Sequence, residues 1–301
     1  MNAPRRAPRR QIDGVLLFDK PLGQSSNHSL QAVRRLYAAE KAGHTGTLDP
    51  LATGLLPVCF GEATKFSAEL LDADKRYRAT VQLGVTTDTA DAEGVILQQR
   101  PVVSTCDDVE AALNRFLGDS QQIPPMHSAL KRDGKPLYEY ARAGVELDRP
   151  PRHITIHAIQ LVEFAGDRFV FDVQCSKGTY VRTLAADIGE LLGCGAHLAA
   201  LRRTGIGRLE VADAHSFEAL QGMTVEQRDS LLQPPDALVQ SLPEARLATL
   251  DADKLRHGQA VRWAGVDGLR YRTYDETQVF LGVCHLQPDG WLQPYRLVAS
   301  A

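Results

Sequence analysis

The segment GHTGTLDPLATG, residues 43–54, sets an aspartate, Asp49, in a glycine-rich loop together with His44, Thr45 and Thr47. It lacks the Lys-Ser/Thr ending of a phosphate loop, so cradling a nucleotide phosphate with backbone amides is not its evident purpose. What it presents is a carboxylate, a group that can attack carbon or carry protons. An aspartate before Pro50 also makes an Asx-type turn with glycines supplying the turn angles, and the loop residues alone leave both readings open. Tyr77 stands on an alternating pattern where a tyrosine is ordinarily core. Arg182 falls in the first turn of a helix, where the dipole mildly disfavours a cation, and that placement agrees with an inward role. Metal chemistry is not indicated. The nearest ligand set is His153 and His157 with Cys194 and His197, but Ile154 and Ile156 alternate with Thr155 there and flag a strand. The five cysteines include no C-x-x-C pair, which argues against disulfides and structural zinc.

These side chains need a scaffold, and the hydrophobic periods outline one. Gly14 to Phe18 reads as a buried strand, and Ser26 begins a helix whose Leu30, Val33 and Tyr37 recur at helical spacing. Residues 77–85 alternate Tyr77, Ala79, Val81, Leu83 and Val85, the period of a half-buried strand. Thr105 with Asp108 resembles a capping box ahead of one helical face formed by Val109, Ala112, Leu113 and Phe116. Residues 124–152 are rich in proline, mixed in charge and without sustained period, which predicts a projecting loop with a short helix at 137–142. Strands follow at 153–164 and 168–176. A helix from Thr179 turns Leu184, Ile188 and Leu191 inward, and strand and helix meet at the SKGTYVR turn. From about residue 245 short β-like runs at 279–285 and 291–298, joined at Pro288, Asp289 and Gly290, predict a small separate β module behind a linker at 233–245.

Composition narrows the partners. At 301 residues, with 44% hydrophobic and 24% charged residues, the chain is an ordinary folded protein. Its apolar runs, such as Val15 to Phe18 and Leu55 to Phe60, fall far short of the roughly 20 residues that span a bilayer, so no membrane helix is expected. The opening MNAPRRAPRR has four arginines and no apolar run behind them, which predicts a disordered basic arm, residues 1–12, in a cytoplasmic protein rather than a secretory signal. The net charge of −3 is unevenly spread: residues 1–65 hold nine basic and five acidic groups, and residues 127–152 hold six and four. Cations gathered on one face can bind a polyanion in spite of a weakly acidic total.

The loop around Asp49 resembles, nearly residue for residue, the catalytic loop of the TruB family of tRNA pseudouridine synthases. The resemblance extends to DKPLGQSS (19–26), KRYRATVQLGVTTDTADAEG (75–94), HSALKRDGKPLYEYAR (127–142), CSKGTYVRTLAADIG (175–189) and LRRTGIG (201–207). It implies a reaction that breaks the bond from ribose to uracil N1, turns the base and joins ribose to C5, with no cofactor. It implies Asp49 as the acting carboxylate, Arg182 as the cation that keeps it ionised against burial, and Tyr77 as the tyrosine that stacks on the uracil and takes part in a later proton transfer. His44 would fill the space left when the base leaves its stack. Tyr180 would floor the pocket, Leu201 would pack on the uracil edge, and Lys20 and Lys177 would support the site or touch phosphate. The clusters Lys131, Arg132, Lys135, Arg142 and Arg202, Arg203, Arg208 become candidate phosphate contacts. His127 and Arg132 stand where many members have tyrosines.

The fold so implied is mixed α/β: a catalytic domain over residues 13–240 around a twisted mixed sheet, with a thumb insertion at about 124–152, then a β-rich PUA-type RNA-binding module at 245–301. The expected substrate is the T arm of tRNA, modified at uridine 55, by a monomer with no membrane, metal or obligate protein partner. Three rivals remain: a guide-RNA-dependent relative, a tRNA-folding helper using the same surface, and a hydrolase that releases free uracil.

Overall fold

The computed structural model describes residues 9–299, so the first eight residues of the expected arm lie outside it. The remainder of that arm is not free. The Arg10 amide donates to Ala38, the Glu40 amide donates to Arg10, and the Arg10 guanidinium pairs with Asp229, which ties the chain down two residues before Ile12.

The mixed α/β architecture is as expected. Among the described residues nine strands form the main sheet: β1 (Gly14–Lys20), β2 (Ala42–His44), β3 (Ala52–Phe60), β4 (Lys75–Leu83), β5 (Gly118–Gln122), β6 (Arg152–Phe164), β7 (Arg168–Cys175), β8 (Ala196–Ile206) and β9 (Leu209–Glu210). Their order is β1-β3-β8-β4-β7-β6-β5, with β2 on β3 and β9 on β8. Only the β3–β8 pairing is parallel, which makes the sheet mixed. Alternation along β4 buries Ala79, Val81 and Leu83 on the face that receives the helices, each large aliphatic contributing about 1.5–3 kcal/mol. Gly84 ends the strand short of the expected Val85: it takes φ +80, and a Cβ there would lie 2.8 Å from the Arg100 carbonyl. Val85–Thr87 then pairs with Ile96–Gln99 as a separate hairpin.

The three longest helices among the described residues flank the sheet. In α1 (Ser26–Leu36) the Ser25 side chain caps the first turn, and Leu30 and Val33 are buried. The α2 helix (Cys106–Asn114) has the Thr105–Asp108 capping box in both directions. The α3 helix (Val181–Leu191) starts two residues later than its pattern suggests, because Thr179 donates to the Ser176 carbonyl and the Gln122 side chain claims both the amide and the carbonyl of Tyr180. Leu184 and Ile188 point inward, but Leu191 at the helix end is 39% exposed, contrary to expectation. The 124–152 excursion holds a two-residue hairpin and the helix Leu137–Arg142.

Residues 233–245 are not a loose linker. Gln233 exchanges both backbone hydrogen bonds with Val15, and Leu238 and Val239 sit in the apolar cluster under β1 and β3. Beyond them a five-stranded sheet (Glu244–Arg246, Val261–Arg262, Arg270–Tyr274, Phe280–Leu286, Trp291–Leu297) closes over its own core of Leu247, Leu255, Leu286 and Leu292. Phe280 reaches back to Phe66, ring centroids 5.3 Å apart.

Candidate active site

Asp49 lies on the loop between β2 and β3, and the start of α1 fixes that loop. The Ser26 hydroxyl accepts from the Leu48 amide at 2.7 Å and donates to the Leu48 carbonyl at 2.9 Å, which satisfies both polar groups of a buried loop residue. Gly23 donates to Pro50 and Ala52 donates to Asp49, so the backbone on either side of the carboxylate is held.

Arg182 comes from the first turn of α3 and is buried, its side chain 6% exposed. Its Nε stands 3.0 Å from Asp49 Oδ2, and its Nη1 stands 3.2 Å from Asp91 Oδ2. Its remaining donors reach the carbonyls of Thr89 at 3.2 Å and His127 at 2.7 Å. Asp91 is buried in turn and accepts from the Thr89 hydroxyl at 2.6 Å and the Glu93 amide at 3.1 Å. The cation is therefore shared between one closed-in carboxylate and one, Asp49, whose side chain is 43% exposed toward the cavities. Burial raises the Asp49 carboxyl above its ordinary range and the Asp91 charge adds to this, while Arg182 and Lys20 pull it back.

Two adjoining cavities, about 540 and 400 Å³, share the wall that carries Asp49 and Arg182. The smaller is lined by Tyr77, Tyr180, Leu201 and Arg203, and its size suits a small ring ligand. Tyr77 on β4 faces Arg203 on β8 as a direct antiparallel partner, and burial raises its phenol. Leu201 packs from the same strand. Tyr180 is the N-cap residue of α3, held there by Gln122. His44 lines the larger cavity; burial lowers its pKa, and its Nδ1 is buried without a hydrogen-bond partner.

Of the eight expected site residues, six line these cavities: Asp49, Arg182, Tyr77, Tyr180, Leu201 and His44. Lys20 does not reach solvent. It is fully buried, its ammonium donates to the carbonyls of Pro21 and Gln24, and burial lowers its pKa to about 8, so it supports the loop and cannot touch phosphate. Lys177 lies outside both cavities, exposed and paired with Asp72 at 2.8 Å. The expected phosphate cluster also divides: Arg208 is exposed, Arg202 pairs with Asp19, and Arg203 is buried. Arg132 in the 124–152 excursion donates to the Asp148 carbonyl, and His127 serves Arg182 through its carbonyl. Asp91, Ser26 and Gln122 were not among the candidates. Asp91 sits within the 75–94 block, but nothing in its neighbours distinguishes it from the turn-forming Asp88.

Comparison with known proteins gives a consistent result. The model described as TruB family pseudouridylate synthase (N terminal domain) matches residues 34–181, tRNA pseudouridylate synthase B C-terminal domain matches 182–240, and Pseudouridine synthase II TruB, C-terminal matches 243–298. The chain is 55% identical over 308 residues to a protein of Burkholderia mallei (strain ATCC 23344) named tRNA pseudouridine synthase B, covering 99% of this chain and 98% of that one. It is 52% identical to the protein of the same name from Chromobacterium violaceum, covering 100% and 99%. Among solved structures, an H/ACA RNP bound to a substrate RNA containing 2′-deoxyuridine includes a chain of like fold, with a TM-score of 0.75, 22% identity, and coverage of 95% and 85%.

Proposed function

The chain belongs to the TruB family of pseudouridylate synthases, and we propose that it converts uridine 55 in the T loop of tRNA to pseudouridine, with Asp49 as the acting carboxylate. The reaction is an isomerisation: the N1–C1′ bond breaks, the uracil turns, C5 bonds to C1′, a proton leaves C5 and N1 gains one. It calls for no redox step or phosphoryl transfer. The observation that carries this reading is the Arg182–Asp49 pair at 3.0 Å on a wall shared by two cavities, one of them lined by Tyr77, Tyr180 and Leu201. A base buried in a folded loop reaches such a carboxylate only by leaving its stack, at a cost of a few kcal/mol. His44, with an unpartnered ring nitrogen beside the larger cavity, is suited to occupy the vacated space. The 124–152 excursion, with exposed Lys131 and Lys135, is suited to contact backbone phosphates of the T arm.

Identities of 52–55% over nearly the full length to proteins named for tRNA, against 22% to the H/ACA RNP chain, favour tRNA recognised directly without a guide. We infer a monomer acting in the cytoplasm. The test is tritium release from tRNA labelled at uracil C5. Wild type should release label from one uridine and no free uracil, and Asp49→Ala should release none. Free uracil would reveal a hydrolase, and inactivity on a bare transcript would point to a guided enzyme. An Asp49→Asn variant that binds tRNA and still rescues a loss-of-function phenotype would make folding assistance the principal role.

A further inference from the structure

Arg203 heads the fully buried side chains of the described chain, at 1% exposure, and among the described residues no carboxylate lies within ion-pair distance of it. A guanidinium taken out of water without a carboxylate is costly, so its place needs a reason. Its Nε donates to the Leu55 carbonyl at 2.8 Å and its Nη2 donates to the Gly46 carbonyl at 3.2 Å, one on each side of the Asp49 loop. Those carbonyls could have been served by a neutral donor. The acidic side chain set directly across the sheet from Arg203, and lining the same cavity, is the Tyr77 phenol.

The sheet sets the two side chains next to each other. Tyr77 and Arg203 are direct partners in the antiparallel β4–β8 ladder, so their side chains rise from the same face, and both line the smaller cavity with Asp49. Gly54, opposite Arg203 on the parallel side, lets the strands close up: a Cβ there would stand 2.3 Å from the Arg203 carbonyl oxygen. A guanidinium has donors only, so in a hydrogen bond between the two the phenol oxygen accepts and the phenol's own hydrogen is left to point elsewhere.

We propose that Arg203 is a positioning residue for the Tyr77 phenol, holding it by its oxygen and stabilising the phenolate during the final proton exchange of the isomerisation. In that exchange the phenol gives its proton to N1 of the turned base, and the phenolate beside Arg203 takes the proton leaving C5. One proton goes out and one comes back, and the phenol is restored. Arg203 touches no substrate atom in this scheme. Its charge acts where no carboxylate competes for it. The inference rests on the tRNA isomerase reading above and adds to it a residue that acts through Tyr77.

The test compares wild type, Arg203→Lys and Arg203→Met by single-turnover tritium release across pH, with tRNA binding and thermal melting measured alongside. The Tyr77 phenol is titrated in the free enzyme by NMR of ζ-carbon-labelled tyrosine, its signal assigned with Tyr77→Phe. The other ionisable groups facing this pair are Asp49 from the loop, Cys175 from β7 and Lys75 from β4, and the Arg203 charge also reaches His44 and Lys20. Arg203→Met should slow the single turnover on the order of 100-fold with tRNA affinity unchanged, and should move the phenol titration upward. Arg203→Lys, which keeps the charge, should recover part of both. A methionine variant with wild-type rate, or a slowed variant with an unmoved phenol titration, would overturn the proposal. If the methionine variant does not fold, the lysine variant decides alone: rate and titration must both shift, or the role is structural. A wild type that releases no tritium would fail the function itself, and the NMR comparison would still report whether Arg203 governs the phenol.

Discussion

Replacing Arg182 by methionine removes the cation that two carboxylates share. The aliphatic stem is replaced nearly in kind, so the loss is electrostatic. Asp91 is left buried with only the Thr89 hydroxyl and the Glu93 amide as partners, and the carbonyls of Thr89 and His127 each lose a donor. Breaking a buried pair by removing one partner costs about 3–5 kcal/mol, and the two neutral donors that remain on Asp91 favour the lower end, about 3 kcal/mol. For a chain of this size that corresponds to a fall of about 5 °C in melting temperature. The second effect falls on Asp49. Burial already raises its carboxyl and Arg182 opposes that rise, so the variant should hold its proton to higher pH still. Turnover at neutral pH should drop by roughly 10²–10³, and what remains should recover as pH rises. The double variant Arg182→Met/Asp91→Asn should regain much of the stability and little of the activity, because the amide removes the stranded charge but restores nothing to Asp49. The assays are thermal melting and single-turnover tritium release across pH. A variant that melts with wild type, or a double variant no more stable than the single one, would show that the buried pair does not carry the assigned energy.

The wild-type rate should fall on the acid side with a midpoint above the ordinary aspartate range: the raised Asp49 carboxyl takes up its proton at higher pH than a free one, and the ionised form disappears sooner as pH drops. By the same sign, folding is penalised by ionising this group at neutral pH, so Asp49→Asn should abolish turnover while melting at or above wild type. Gly54→Ala adds a Cβ 2.3 Å from the Arg203 carbonyl at φ +100, and should cost about 2–4 kcal/mol by denaturant titration together with most of the activity. Lys20→Met should destabilise by about 2 kcal/mol through two orphaned carbonyls yet leave the salt dependence of tRNA binding unchanged, whereas Lys131→Gln in the exposed excursion should lower the log–log salt slope by about 1. An altered slope for Lys20→Met would restore it as a phosphate contact.

What the sequence disclosed and what it hid divide along a physical line. Periodic burial was legible: β4, β7 and α2 follow from hydrophobic spacing and caps, since each depends on residues a few positions apart. The residues gathered on the cavity wall, Asp49, Tyr77, Tyr180 and Arg182, were reached through the resemblance of whole blocks. Charge was the poorest guide. Arg203 read as a phosphate-contacting cation and Lys20 as one that supports the site or touches phosphate, and both are buried because sheet pairing across 148 positions of chain brings a carbonyl to Arg203, while the tight Pro21–Gln24 turn does so for Lys20. No local pattern distinguishes a buried lysine that serves carbonyls from an exposed one that serves phosphate. The linker at 233–245 misled for a related reason: its prolines suggested a spacer, but the short Leu238–Val239 apolar step between them is what docks it on the core.

The buried cations share one arrangement that explains why they are charged at all. Lys20 donates to Pro21 and Gln24, Arg182 to Thr89 and His127, and Arg203 to Gly46 and Leu55. Five of the six acceptors lie on irregular backbone and the sixth, Leu55, lies in β3; carbonyls on irregular backbone lack a regular ladder or helix partner and must be satisfied some other way. Neutral side chains could meet that need at lower desolvation cost. Charged ones meet it and also fix a positive potential around a carboxylate that burial would otherwise neutralise. Because these charges are internal, salt screens them far less than it screens the exposed lysines of the 124–152 excursion. Raising salt should therefore weaken tRNA binding steeply while leaving the turnover of bound tRNA nearly unchanged, and a turnover that fell in step with binding would mean that the potential at Asp49 is set by surface charge after all.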